Sequence, residues 1–188
     1  MEFLENKLKK IYRISDKAQE ALSNKLKKVS LKKGDLLLMQ GNTCKHLYFL
    51  QQGCIRGYYY LDHKEVTHWF GFDNDFVTSF HSFITQQPSV ESLEALEDTI
   101  LWSISHQSLY ELYDTFPEIE RLGRMAYEKY YIRLEERYVN AQFKTAAQRY
   151  QELLDTNSHI LQRVSLGRIA SYLGISQETL SRIRAKIV

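Results

Sequence analysis

The sequence has 188 residues, a formal net charge of +2, 44% hydrophobic and 13% aromatic residues, 13 tyrosines and two prolines. A chain of this length and apolar content buries a real core in one large or two small domains, and its composition excludes long disordered or low-complexity stretches. No apolar run is long enough to span a bilayer, and the opening "MEFLENKLKKIYRIS" carries charges throughout, so membrane spans and a signal peptide are excluded and the expected location is cytoplasmic.

Residues 1 to about 30 read as helical. Leu4, Leu8 and Ile11 recur at helical spacing, and Asp16 with Gln19 makes a candidate capping box before "AQEALSNKLKKVS". From about Leu31 to Ser105 short β-rich runs alternate with turn signals. "DLLLMQ" precedes Gly41-Asn42, "HLYFLQ" precedes Gln52-Gly53, "CIRGYYYL" precedes Asp62-His63-Lys64, and "EVTHWFGF" precedes Asp73-Asn74-Asp75. That spacing predicts an antiparallel sandwich or barrel. "TILWSIS" is its last strand, with Ile100, Trp102 and Ile104 alternating. Cys44 and Cys54, without clustered histidines, fit reduced core thiols and make no disulfide framework, iron–sulfur site or zinc site.

From residue 106 the pattern is helical again. Pro117 suits a first turn, and the helix it opens runs to Asn140, about 23 residues or roughly 35 Å. Tyr127, Tyr131, Leu134, Tyr138 and Ala141 step by four and three, a heptad seam. The seam either packs on the protein's own β-domain or pairs with a second copy in parallel. The second reading is favoured because so long a helix outgrows one small sheet.

Thr145 can cap "AAQRYQELLDT", and a helix pair closes the chain. In "LGRIASYLGISQETLSRI", Leu166, Ile169, Ala170 and Leu173 share one face of a first helix. Gly174 supplies a turn, Ile175 points inward, Ser176 can cap, and Leu180 with Ile183 lines a second helix. This is a helix-turn-helix pattern. Such a second helix presents its first turn to base edges. Gln177, Glu178, Ser181 and Arg182 are the candidate base readers: Arg matches guanine, Gln adenine, and Glu accepts from cytosine. Ser176, Arg184 and Lys186 suit phosphates. From Arg149 onward the cations Arg149, Arg163, Arg168, Arg182, Arg184 and Lys186 face Glu152, Asp155 and Glu178, a basic end on a near-neutral body.

The β-rich block, long helix and helix-turn-helix together resemble the Crp/Fnr family of transcription regulators. "GISQETLSRI" carries the best local match, with Gln177 in place of the usual arginine, and "KKGDLLLMQGN" and "LYFLQQGCIRGYY" are similar to the family's β-roll. The resemblance implies an α+β fold: an N-terminal antiparallel β-roll of cyclic nucleotide-binding type within residues 1–117, a central dimerisation helix over 118–142, and a C-terminal winged-helix-type helix-turn-helix domain over 143–188. It implies double-stranded DNA, a second copy of the chain and RNA polymerase as partners. It also implies a phosphate-binding cassette of Gly-Glu followed by Arg-Ser or Arg-Thr, whose arginine pairs with a cyclic phosphate. Laid on "FVTSFHSFITQQPSVES", Thr78-Ser79 replaces Gly-Glu, Ser89-Val90 replaces Arg-Ser, and Glu91 adds a negative charge. Leu134 and Glu135 fall where cAMP-responsive members place small hydroxyl residues. The pattern argues against cyclic AMP in the usual geometry and names no other effector. The six histidines follow no spacing that singles out a haem ligand.

Three function classes follow. The leading one is a homodimeric, sequence-specific DNA-binding regulator. The second is a ligand-binding sensor or scaffold module with a vestigial DNA-binding head. An enzyme is disfavoured, because no nucleophile–base pair, metal cluster or phosphate loop stands out.

Overall fold

The computed structural model describes Leu4, Leu8 and residues 11–187. The remainder of the first ten residues, part of the expected N-terminal helix, lies outside the described residues. Helix α1 (Asp16–Lys25) is capped by Ser15, whose hydroxyl accepts from the Ala18 amide. Ser15 thus takes the capping role expected of Asp16, which becomes a first-turn carboxylate favoured by the helix dipole. The helix ends sooner than expected. Residues Lys27–Leu31 form strand β1, an edge strand whose lysines stay exposed.

The β-roll continues through β2 (Leu36–Leu38), β3 (His46–Gln52), β4 (Ile55–Leu61), β5 (Lys64–Gly71) and β6 (Phe76–Val77). A short helix α2 (Phe80–Thr85) follows, then β7 (Ser92–Ala95) and β8 (Thr99–Ser105). The strands make two four-stranded sheets, ordered β1-β8-β3-β6 and β2-β7-β4-β5, with every pair antiparallel. Asp62 and His63 both have positive φ, the two-residue turn that lets β4 fold directly onto β5. Leu50, Ile55, Leu93 and Leu101 are fully buried between the sheets.

Helix α3 (His106–Thr115) leads to α4 (Pro117–Phe143), 27 residues that open on Pro117 and run three beyond the expected end. Ile119 and Leu122 anchor its first turns in the core, whereas its second half is largely exposed. Four helices then form the head: α5 (Ala146–Thr156), α6 (Ile160–Arg163), α7 (Leu166–Leu173) and α8 (Gln177–Ile187). Thr145 and Gln148 make a full capping box at the start of α5. Among the described residues no strand follows β8. The core of the head is continuous with part of the β-roll. Tyr150, Leu153, Ile160, Ile169, Leu173 and Leu180 share one buried cluster with Cys54, Phe72 and Leu96 of the β-roll.

Candidate nucleic-acid interface and effector site

The helix pair α7–α8 is built by a few constraints. Ile169, Ala170 and Leu173 of α7 are buried, and Gly174 ends the helix at φ +67°, a left-handed conformation that costs glycine nothing. Ile175 and Ile183 pack partly inward, and Leu180 is fully buried. Ser176 starts α8: its hydroxyl accepts from the Thr179 amide at 3.2 Å. Ser176 is therefore engaged as a cap, which satisfies one of the first-turn amides.

With Leu180 fixed inward, Gln177, Glu178, Ser181 and Arg182 all fall on the exposed side of α8. The Ser176 hydroxyl, the backbone amide of Glu178 itself and then Arg182 hold the Glu178 carboxyl below the usual carboxylate range. Glu178 is therefore an ionised acceptor at neutral pH. Arg182 Nη2 donates to Thr179 Oγ1 at 3.1 Å, which steadies its long side chain along the helix. Lys186 is exposed and Arg184 half-buried.

The other three cations of the basic end point elsewhere. Arg149 donates to the carbonyls of Lys144 and Leu173, both at 2.8 Å. Arg163 pairs with Asp73 at 2.7 Å and with Glu97, and donates to the Gly53 carbonyl at 2.7 Å. Arg168 pairs with Glu94 at 2.8 Å. The Ser171 hydroxyl accepts from the Thr67 amide at 2.9 Å and donates to the Glu65 carbonyl at 3.2 Å. Arg163, Arg168 and Ser171 clamp the head to the β-roll, whereas Arg149 ties α5 to the end of α4 and to α7. Charge counting along the sequence missed this, because the partners lie 66 to 110 residues away.

The cassette stretch is closed by the chain's own side chains. Thr78 is buried, and its hydroxyl donates to the His46 carbonyl at 2.9 Å. Ser79 and Ser89 are brought together, Oγ to Oγ at 3.0 Å, and Ser89 donates on to the Glu91 carbonyl. Val90 is 67% exposed and points away from them. Leu134 and Glu135 are exposed on α4. The sequence reading gave no role to His68 and Trp69, which hold the nearly buried Glu91 carboxylate at 2.6 Å and 2.8 Å. A register shift between Gly57 and Tyr58 puts a bulge in β5 at His68, which turns two consecutive side chains toward one carboxylate. Gly57 makes room, since a Cβ there would lie 2.1 Å from the Trp69 indole nitrogen. Arg56, 3% exposed, is the nearby buried cation, and it is paired with Glu65 at 2.6 Å and with Glu94. A signal for this did exist: Arg56, Glu65 and Glu94 are charges set into apolar strands, where burial demands a partner.

The seam residues of α4 divide. Tyr127 turns toward the protein's own β-roll, its ring edge-on to Phe80 at 5.9 Å and its hydroxyl buried. Tyr131, Leu134 and Tyr138 are 64%, 46% and 67% exposed. The heptad reading therefore separates at Tyr127, because this part of the helix still lies against the sheet. Ile132, Val139 and Phe143, which the seam omitted, are exposed as well.

Residues 28–116 match the family profile described as the cyclic nucleotide-binding domain. No curated protein matches the sequence. FixK2 from Bradyrhizobium japonicum is 21% identical and superposes with a TM-score of 0.72, over 86% of this chain and 84% of that one. CLP from Xanthomonas campestris, described as a c-di-GMP responsive global regulator, is 18% identical with a TM-score of 0.72, over 92% and 91%. A Eubacterium rectale protein assigned to the crp/fnr family is 20% identical with a TM-score of 0.69, over 90% and 82%. The fold is that of the Crp/Fnr regulators. Within that fold, this chain has the β-roll, the long helix and the closing helix pair. Among the described residues no helix is long and apolar enough to cross a membrane, and no three His, Cys, Asp or Glu side chains are grouped to hold a metal.

Proposed function

We propose that the protein is a sequence-specific DNA-binding transcription regulator of the Crp/Fnr type that acts as a homodimer. The observation that carries the proposal is the outward face of α8. A fully buried Leu180 and the Ser176 cap set its orientation, and Gln177, Glu178, Ser181 and Arg182 stand exposed together. An ionised Glu178 accepts from cytosine, Arg182 donates to guanine, Gln177 pairs with adenine, and Ser181 serves either. Arg184, Lys186 and the amides at the start of α8 hold phosphates. Dimerisation runs through Tyr131, Leu134 and Tyr138 of α4, which puts two reading helices in successive major grooves about 34 Å apart. RNA polymerase is the partner that would convert binding into regulation.

Cyclic AMP in the usual geometry does not fit the β-roll. The cassette offers no arginine to the phosphate, Arg56 is already paired twice, and the Glu91 carboxylate repels an anion there. Selection from a pool of random duplexes tests the DNA reading. It should enrich an inverted repeat with half-sites about one helical turn apart. A pool that stays random after repeated rounds rejects the proposal and leaves the sensor or scaffold reading in its place.

A further inference from the structure

A cavity lies between the sheet and α4. Its volume is about 350 Å³, within the roughly 300–1,000 Å³ of small-molecule sites. It is a half-open cleft with three walls: Leu8, Leu22 and Leu26 on one side, Leu47, Phe49 and Ile104 of the sheet on another, and Leu122, Ala126 and Tyr127 of α4 on the third. Thr78, Ser79, Ser89 and Glu91 do not line it. Protein interiors pack closely, with few voids larger than a water, so apolar walls around a space this size forfeit contacts that an apolar occupant would restore.

Among the described residues, the charged side chains of the lining gather in one place. Lys129 and Arg133, one turn apart on α4, sit at the rim with Asp75. Arg133 lies 3.5 Å from Asp75 Oδ1, a long and exposed pairing, while Asp75 Oδ2 accepts from the Phe72 amide. Two cations against one partly engaged carboxylate favour an anion at the rim. Deeper in, the Tyr127 hydroxyl is buried beside Tyr113 without a hydrogen bond of good geometry.

We infer that this cavity binds a long-chain carboxylate, with its alkyl tail between the sheet and α4 and its head on Arg133 and Lys129. The site is independent of the DNA reading. It uses the wall of α4 that faces the β-roll, one turn before Tyr131, so an occupant would bear on the same helix that presents the exposed seam.

The test is titration of the full chain with octanoate, dodecanoate and hexadecanoate below their micellar concentrations, followed by calorimetry and by melting temperature. Dodecanol serves as the uncharged control. At least one acid should bind saturably, one per chain, and more tightly than dodecanol. Ala126→Phe, which fills the cavity, should weaken binding at least tenfold. Leu47→Trp, from the opposite wall, should do the same if Ala126→Phe folds poorly. Arg133→Ala should bring the acid down to the affinity of the alcohol. No saturable binding of any of the three acids would overturn the inference. Binding that both filling variants leave unchanged would overturn it too.

Discussion

Single side chains decide how the cassette is closed. Glu91 accepts from both His68 and Trp69, and Trp69 can reach it because Gly57 has no Cβ. Gly57→Ala should displace the indole, since the new methyl would need the space of its Nε1. The expected outcome is a lower melting temperature and altered tryptophan fluorescence, with a cost of about 1–3 kcal/mol typical of overpacking. A variant with unchanged spectrum and stability would show that Trp69 is not held there. The same closure predicts that cyclic AMP leaves the melting curve where it is. A ligand at a hundred times its Kd would add about 2.7 kcal/mol, a shift that thermal denaturation resolves easily. Some of this was legible beforehand. The family resemblance lays Thr78-Ser79 and Ser89-Val90 where Gly-Glu and Arg-Ser would stand. The sequence does not show the partners of Glu91, because His68 reaches it only through a bulge, and a bulge leaves little trace in alternating apolar residues.

At the scale of elements, α4 and the head clamp make separate predictions. Tyr131 and Tyr138 are more than 60% exposed on one helix, one heptad apart. Replacing both with glutamate should turn a dimer into a monomer in sedimentation at micromolar concentration, with helicity kept. A wild-type chain that sediments as a monomer would contradict this account of the seam. The clamp predicts a pH response. Burial pushes the Asp73 carboxyl up, but Arg163 and the donating Gly53 amide outweigh it and hold Asp73 below the usual carboxylate range. A carboxylate with a depressed folded pKa stabilises fully above its unfolded value, 3.8 here, and loses that contribution as the pH falls through the folded value. Protection factors of the amides in α6 and α7, relative to unstructured chain at the same pH, should therefore fall as the pH drops below about 4. Arg163→Ala should raise exchange already at neutral pH and flatten the acid limb. The elements themselves were largely readable: β2 to β5, β8, the Pro117 helix and the closing pair fall close to their expected places. Strand β1 did not, because "KKVSL" continues the lysine-rich texture of the helix before it and, at a sheet edge, needs little apolar alternation. The clamp was also invisible, since Arg163 finds Asp73 only when residues 90 apart in sequence meet.

Across the whole molecule, one buried cluster joins the head to the β-roll, with Phe72 and Leu96 packed among Leu153, Ile169 and Leu180. Head and β-roll thus share packing, and the chain should unfold in a single cooperative transition by both far-ultraviolet and tryptophan signals. Two separate transitions would mean that the clamp and cluster couple the parts weakly. What the account rests on, however, is base reading by α8. Its most direct test is fluorescence anisotropy at fixed salt, with the selected duplex and a scrambled duplex, comparing the wild-type chain with Glu178→Ala and Arg182→Ala. Each substitution should remove about 1–3 kcal/mol of preference for the selected sequence while binding to the scrambled duplex and the melting temperature stay nearly constant. If both variants keep the wild-type preference, α8 does not read these bases, and the central claim fails.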